Sequence, residues 1–411
     1  MYKTRITSVS TFVAVFFCAG LVAASPWNST NGLILKGTIV PMTAEDAVIE
    51  NGQILIQNEK IVAIIGEGEA WPATVNTAGA VEVDTGGYIF PGMLNLHSHT
   101  AYNMLPIWEA PKLYQNRYQW TKAKTYSNYV NYPKKLITDS NYYNLVIEVG
   151  KYAEVKGMVG GETAIQGTPS RNGINNMLIR NVEDKNFGQD KVYQRGLTIE
   201  DSRWQDTVPA FLTKADAGLV EAWIVHLAEG IDEDPSWEEF SVLTSLGMLH
   251  DWTVIIHGTA LTQTEFAAMA AVGSDLIWSP LSNLLLYGQT TRVDEAIGVG
   301  VNVSLATDWS PSGGKNLLDE LKIAYEVNKW YAQSVAGYLP FDEYDLVEMV
   351  TINPAKALEW DSLVGTVEVG KYADLFVINK SSAQSTPYLA LIHATVKDVQ
   401  LVTIAGEPLY G

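Results

Sequence analysis

Ala222-Trp223-Ile224-Val225-His226-Leu227-Ala228-Glu229 reads as a short apolar strand that ends on an imidazole and then a carboxylate. The stretch Thr253-Val254-Ile255-Ile256-His257-Gly258 repeats the pattern, the two histidines standing 31 positions apart. That interval is the length of one strand-and-helix unit. Outward from this pair the same alternation continues. Candidate strands are Met93–Leu96, Met158–Ile165, Asn176–Asn181, Val192–Ile199, Ala222–Val225, Thr253–Ile256, Ser274–Trp278 and Val301–Leu305, eight in all within residues 89–362, each followed by chain enough for a helix. Eight such units close most simply as a (β/α)8 TIM barrel. An open doubly wound α/β sheet is the alternative, but no Gly-rich phosphate fingerprint follows any of the strands.

The flanks read differently. Leu33–Val40, Gln53–Ile65 and Val81–Val83 lie in residues 33–88, and Val364–Val369, Asp374–Ile378 and Val399–Ala405 in residues 363–411. All are rich in Val and Ile and punctuated by turn residues. Neither flank is large enough to close a sheet alone, so the two are expected to pair as one small β-sandwich.

Residues 1–24 read as an export signal. Lys3 and Arg5 precede an uncharged apolar run, Thr11 to Ala24, too short to span a bilayer comfortably. Val22 and Ala24 suit cleavage before Ser25. Phe16 and Phe17 ahead of Cys18 do not suit lipidation, and cleavage removes the one cysteine, which fits an oxidising compartment. The expectation is periplasmic or extracellular protein with no stable membrane anchor in the mature form.

Among 411 residues, 47% are hydrophobic and 18% charged, which excludes general disorder. Lys and Arg number 27 against 46 Asp and Glu, a net charge of −19, so nucleic acid is not an expected partner. A single Cys excludes a cysteine zinc cluster. Of six histidines, four follow candidate strands: His97 and His99 after the first, His226 after the fifth, His257 after the sixth. Asp308 follows the eighth. In a barrel these strand ends meet at one mouth. Imidazoles with one carboxylate suit a divalent cation, Zn²⁺ most simply and Fe²⁺ as the other candidate. Glu229, three residues past His226, would lie near such an ion without binding it and could carry a proton. His250 and His393 are read as satisfied core histidines.

Pro91-Gly92-Met93-Leu94-Asn95-Leu96-His97-Ser98-His99 resembles the opening metal motif of the amidohydrolase superfamily. His226-Leu227-Ala228-Glu229, His257-Gly258, Ser279-Pro280-Leu281-Ser282-Asn283 and Ala306-Thr307-Asp308 resemble its cytosine-deaminase and chlorohydrolase-like branch, and Asn353-Pro354-Ala355-Lys356-Ala357-Leu358 its exit from the barrel. The resemblance implies a metal-dependent hydrolase of non-peptide C–N bonds. It also implies His97, His99, His226 and Asp308 as ligands, with Glu229 and His257 beside them. Some members hold two metals through a lysine at the end of strand 4. Here Lys191 stands at the start of that strand, which favours one metal; Glu162 receives no role.

Catalysis would then use a metal-activated water, with Asp308 accepting its proton, His257 holding the developing oxyanion and Glu229 protonating the leaving nitrogen. The substrate is expected to be a small molecule, a cyclic amide or an aminated heterocycle. A C–Cl hydrolase and a metal-binding protein without catalysis remain the alternatives. Residues 101–138 carry six cations (Lys112, Arg117, Lys122, Lys124, Lys134, Lys135) against Glu109, together with Tyr102, Trp108, Tyr114, Tyr118, Trp120, Tyr126, Tyr129 and Tyr132. Following strand 1, this insert either overhangs the mouth and grips a planar anionic substrate, or packs its rings on the barrel with its lysines in water. Oligomeric state is not legible.

Overall fold

The computed structural model describes residues 31–168, 176–188, 191–195, 199, 201–232, 234–334, 340–380 and 384–411. The proposed signal segment lies outside them. No helix among the described residues is long and apolar enough to cross a membrane.

Strands β1 (Leu33–Ile39), β2 (Ile49–Gln57), β3 (Lys60–Ile65) and β4 (Val81–Pro91) join β13 (Leu375–Ile378), β14 (Val399–Ile404) and β15 (Glu407–Tyr410) in one sheet, ordered β15-β14-β13-β4-β1-β2-β3. The two flanks therefore do pair. β4 runs between β1, parallel, and β13, antiparallel. The sheet curls on itself: Ile61 N donates to Lys371 O and Ala373 N to Glu59 O, and Leu35, Ile54, Ile61, Ile89, Leu375 and Val377 share one apolar cluster.

Three strand expectations are corrected here. Gln53–Ile65 is a hairpin, because the chain turns at Asn58 and Glu59 with φ of 48° and 72°. Val364–Val369 forms no strand; it leaves the preceding helix in turns, and only Val367 N reaches back, to Pro41 O. Met158 ends the helix Val146–Met158, and the second barrel strand starts only at Glu162, after Gly161 takes a φ of 89°.

The barrel strands are β5 (Met93–Asn95), β6 (Glu162–Ile165), β7 (Arg180–Asn181), β8 (Val192–Arg195), β9 (Ala222–Leu227), β10 (Thr253–His257), β11 (Asp275–Trp278) and β12 (Val303–Leu305). They hydrogen-bond as β5-β6-β7 and β8-β9-β10-β11-β12, parallel throughout. A parallel bridge between Ser98 and Asp308 joins β5 to β12 just past the strand ends. No ladder joins β7 to β8 among the described residues. Both faces of most of these strands are buried, so their runs are almost wholly apolar; β7 and β8 differ, with Arg180 half-buried and Gln194 exposed. Leu94, Ala164, Val192, Ile224, Val254, Ile256 and Ile277 pack together inside, while Trp223, Val225, Ile255, Leu276 and Trp278 pack outward against helices.

β4 leads through Gly92 directly into β5. A side chain at Gly92 would place its Cβ 2.1 Å from Thr163 Oγ1, so only glycine lets β5 lie this close to β6. The first two histidines are thus hung from the terminal sheet by a continuous strand.

Candidate active site

All six residues expected at the mouth meet there. His226 follows the inward alternation of Ala222 and Ile224 along β9. His257 does not: Val254 and Ile256 point inward, so regular alternation would turn residue 257 out. Its backbone takes a left-handed φ of 70°, which breaks the alternation, and Asp308 has a φ of 58°. For non-glycine residues such backbone costs about 1–3 kcal/mol each and gathers at functional sites.

Ligand-type atoms of His97, His99 and His226 lie within 4.8 Å of one another, as do those of His97, His257 and Asp308, and those of His226, Glu229 and His257. His97 Nε2 approaches Asp308 Oδ1 to 3.0 Å and His99 Nε2 approaches the same oxygen to 3.3 Å. Yet His97 has no hydrogen-bond partner at either ring nitrogen, and Nδ1 of His226 and of His257 has none. Lone-pair atoms that converge without a shared proton fit a cation between them.

The electrostatics agree with that fit. Burial, reinforced by the neighbouring imidazoles, lowers His99 to about 4 and His226 well below the usual histidine range. Burial also lowers His257, to about 3, against the pull of Asp308. His99, His226 and His257 are therefore biased toward the neutral form, which binds metal. Burial would raise Asp308, but His97, His99 and His257 outweigh it and hold the carboxylate ionised. Burial raises Glu229 to about 7, partly offset by Arg117. The two carboxyls are driven apart, one kept ionised and one able to carry a proton near neutrality.

Hydrogen bonds from β11's following helix fix both acids. Ser282 Oγ donates to Asp308 Oδ2 at 2.5 Å and lies 2.8 Å from Ser312 Oγ, which accepts from Trp309 Nε1. Tyr287 donates its hydroxyl to Glu229 Oε1 at 2.5 Å and accepts from Trp120 Nε1 at 2.8 Å. Glu229 Oε2 faces His257 Nε2 at 3.7 Å and Arg117 Nη1 at 4.0 Å. Sequence reasoning missed Tyr287 and Trp309. Ser282 stood in a quoted motif, but nothing in the motif said which carboxylate it would meet. Glu162, left without a role, accepts from Leu317 N and Asn95 Nδ2; Asn95 in turn bonds Thr307 beside Asp308.

The cavity at this mouth is about 160 Å³, lined by five of the six site residues (all but His97) and by Tyr102, Trp120, Tyr126 and Trp309. Larger clefts exist elsewhere, but none holds this set of ligating atoms. The insert packs rings on the barrel and also overhangs the mouth. Trp108, Tyr114 and Val130 pack on Leu286, Tyr287 and Trp309, while Tyr102, Trp120 and Tyr126 roof the cavity. Of its six cations only Arg117 reaches the cavity; Lys112, Lys122, Lys124 and Lys135 are exposed and Lys134 lies over the Tyr102 ring. Residues 115–117 pair with the backbone that carries Glu229: Arg117 N donates to Glu229 O, Ile231 N to Gln115 O, and Asn116 bridges Gly230.

His250 and His393 lie away from the mouth, as expected, but neither is a core residue. His250 is exposed and stacks on Trp252; His393 is exposed at the end of the helix Pro387–His393, beside Tyr325. Lys191 lies at the opposite end of its strand, 3.7 Å from Glu221.

Residues 221–409 match the model of the amidohydrolase family. A 5-methylthioadenosine/S-adenosylhomocysteine deaminase of Symbiobacterium thermophilum is 26% identical over 420 residues, covering 92% of this chain and 93% of the relative. Among solved structures, an atrazine chlorohydrolase mutant of Arthrobacter aurescens TC1, complexed with zinc and atraton, superposes with a TM-score of 0.73 at 17% identity, covering 92% of this chain and 95% of that one. An adenosine deaminase of Xanthomonas campestris with bound zinc superposes with a TM-score of 0.63 at 18% identity, covering 92% of each chain. These two structural likenesses carry the barrel fold.

Proposed function

We propose that this chain, which belongs to the amidohydrolase superfamily, deaminates a small flat nitrogen heterocycle at the barrel mouth with the help of one divalent cation. The observation that carries the reading is the convergence of unpartnered imidazole nitrogens on Asp308, with a carboxyl of opposite protonation tendency, Glu229, beside them. The full-length likeness to a deaminase supports the choice of reaction.

His97, His99, His226 and Asp308 would hold the cation, Zn²⁺ most simply. When bound, it supplies the positive charge that makes a water nucleophilic at neutral pH. Asp308, with one oxygen tied to Ser282, offers the other to the proton of the attacking water. His257 hydrogen-bonds the oxyanion that develops on the attacked carbon. Glu229, protonated near neutrality and held by Tyr287, gives its proton to the ring nitrogen; the proton taken up by Asp308 passes to the departing amine, and Glu229 regains a proton from the new hydroxyl as the carbonyl forms. A C–O bond forms, a C–N bond breaks, and ammonia leaves. The rings of Tyr102, Trp120, Tyr126 and Trp309 set the flatness of the substrate by stacking. A cavity of about 160 Å³ is below the roughly 300–1,000 Å³ of sites that take drug-sized ligands, which favours a free single or fused ring.

A panel of aminated heterocycles and cyclic amides, incubated with metal-analysed protein, tests the reading. Ammonia release from at least one aminated ring, with one ion bound per chain, is expected. Chloride release alone, ring opening alone, or no turnover by metal-loaded protein overturns it. We also propose that the mature protein starts at Ser25 and is exported. N-terminal sequencing of protein from its native host decides this, and an intact Met1 on cytoplasmic protein overturns it.

A further inference from the structure

We propose that Arg117 is a specificity-determining residue that donates a hydrogen bond to an oxygen of the substrate, selecting rings with a carbonyl or carboxylate next to the nitrogen that Glu229 protonates. The proposal rests on the deaminase reading above. Arg117 is buried, and one edge of its guanidinium is fully engaged. Nη2 donates to Glu239 Oε1 at 3.1 Å and to the Tyr118 hydroxyl at 3.0 Å. Glu239 is itself fixed, since its Oε2 accepts from Ala228 N at 2.8 Å and its Oε1 also accepts from Tyr118.

The other edge is different. Nη1 is buried and has no hydrogen-bond partner, and Arg117 is one of the residues that line the cavity. Glu229 Oε2 lies 4.0 Å away, outside hydrogen-bond reach, and the other Glu229 oxygen is taken by Tyr287. A guanidinium can only donate, so what completes Nη1 must bring a lone pair. A buried donor left unmatched is unfavourable, and hydrogen bonds to charged groups are among the stronger ones. Because Nη1 and Oε2 sit side by side, the oxygen that meets Nη1 and the nitrogen that meets Glu229 must be close neighbours in one molecule. An oxygen on the ring carbon bonded to that nitrogen satisfies this. The exposed lysines of the insert cannot substitute for Arg117, because they lie outside the cavity.

The test uses metal-loaded full-length protein with three probes: 4-aminopyrimidine and its 2-oxo and 2-carboxy derivatives. The wild type should favour an oxygen-bearing ring over the plain one by about 10–100-fold in kcat/KM, the range expected for one hydrogen bond to a charged donor. Arg117→Lys keeps the charge and loses the fork. It should remove most of that preference, chiefly through KM, lowering turnover of the oxygen-bearing rings by a larger factor than turnover of the plain ring. In Arg117→Ala, added guanidinium should rescue the oxygen-bearing rings by a larger factor than the plain one. Equal wild-type turnover of all three probes, or equal losses for all three in Arg117→Lys, overturns this proposal while leaving deamination standing. Absence of turnover with these three probes and with every aminated ring of the wider panel overturns both.

Discussion

Arg180 and Arg117 are buried to a similar degree, yet only one of them is finished. Arg180 sits at the seam between barrel and terminal sheet. Its Nε and Nη2 bond both oxygens of Asp374, at 2.6 and 3.0 Å, and its plane lies 4.4 Å over the Phe187 ring. Arg117, at the mouth, has one edge matched and one bare. The histidines divide the same way: His250 and His393 stand in solvent, while ring nitrogens of His97, His226 and His257 are buried without protein partners. Most buried polar groups of a protein are matched. At the mouth, unmatched nitrogens of His97, His226, His257 and Arg117 gather together, and His257 and Asp308 are held there in left-handed backbone.

The contrast breaks most severely at Glu229. Glu229→Gln should keep the cation and lose about 10²–10⁴-fold in kcat, the usual contribution of a general acid–base group. Steady-state kinetics beside metal analysis checks it, and near-normal turnover would make Glu229 structural. At the seam the expected loss is one of stability. Arg180→Ala strands the Asp374 carboxylate in a buried site and should cost about 3–5 kcal/mol in urea unfolding, with kcat of the folded fraction unchanged. Ser282→Ala sharpens the comparison within the mouth. It removes the hydroxyl that orients Asp308, and such supports typically contribute about 10–100-fold in metal affinity or activity. A chelator competition titration reads this directly. The smallest effect belongs to Asp275, at the quiet end of β11. Burial raises its carboxyl from 3.8 to about 7 despite the hydrogen bond from Asn302. The folded state therefore holds a proton that the unfolded chain gives up above about pH 4. This contribution to stability is complete below that pH and is lost as pH rises through about 7. Asp275→Asn should flatten that slope, so the difference in unfolding free energy between pH 5 and pH 8 narrows; an unchanged slope would assign it to other groups.

The barrel was legible because most of its strands are buried on both faces and stand out as apolar runs. Each of the eight candidate strands contains or overlaps an observed one, and the residues at the ends of four of them form the site. What was not legible depended on backbone or on distant partners. The turn at Asn58-Glu59 carries no glycine, so two strands read as one. Met158 is apolar in a helix and apolar in a strand alike, and only the glycines after it mark the boundary. Glu407–Tyr410 is too short and too exposed to show as β15. The relay from Trp309 through Ser312 and Ser282 to Asp308 joins positions that no spacing rule connects. Tyr287 lies 58 residues from Glu229 along the chain and meets it only because neighbouring barrel loops converge.

The ladder between residues 115–117 and 229–231 has a consequence for how this protein can change over evolutionary time. In a barrel whose loops are independent, one loop can be exchanged and a new substrate admitted while the chemistry stays put. Here the loop that roofs the cavity is laced, backbone to backbone, to the segment that carries the proton donor. An insertion, deletion or graft that breaks the pairing of residues 115–117 displaces that donor as well as the roof. New specificity through this loop must then arise by side-chain replacement at fixed length, and lineages that alter its length must rebuild their acid at the same time.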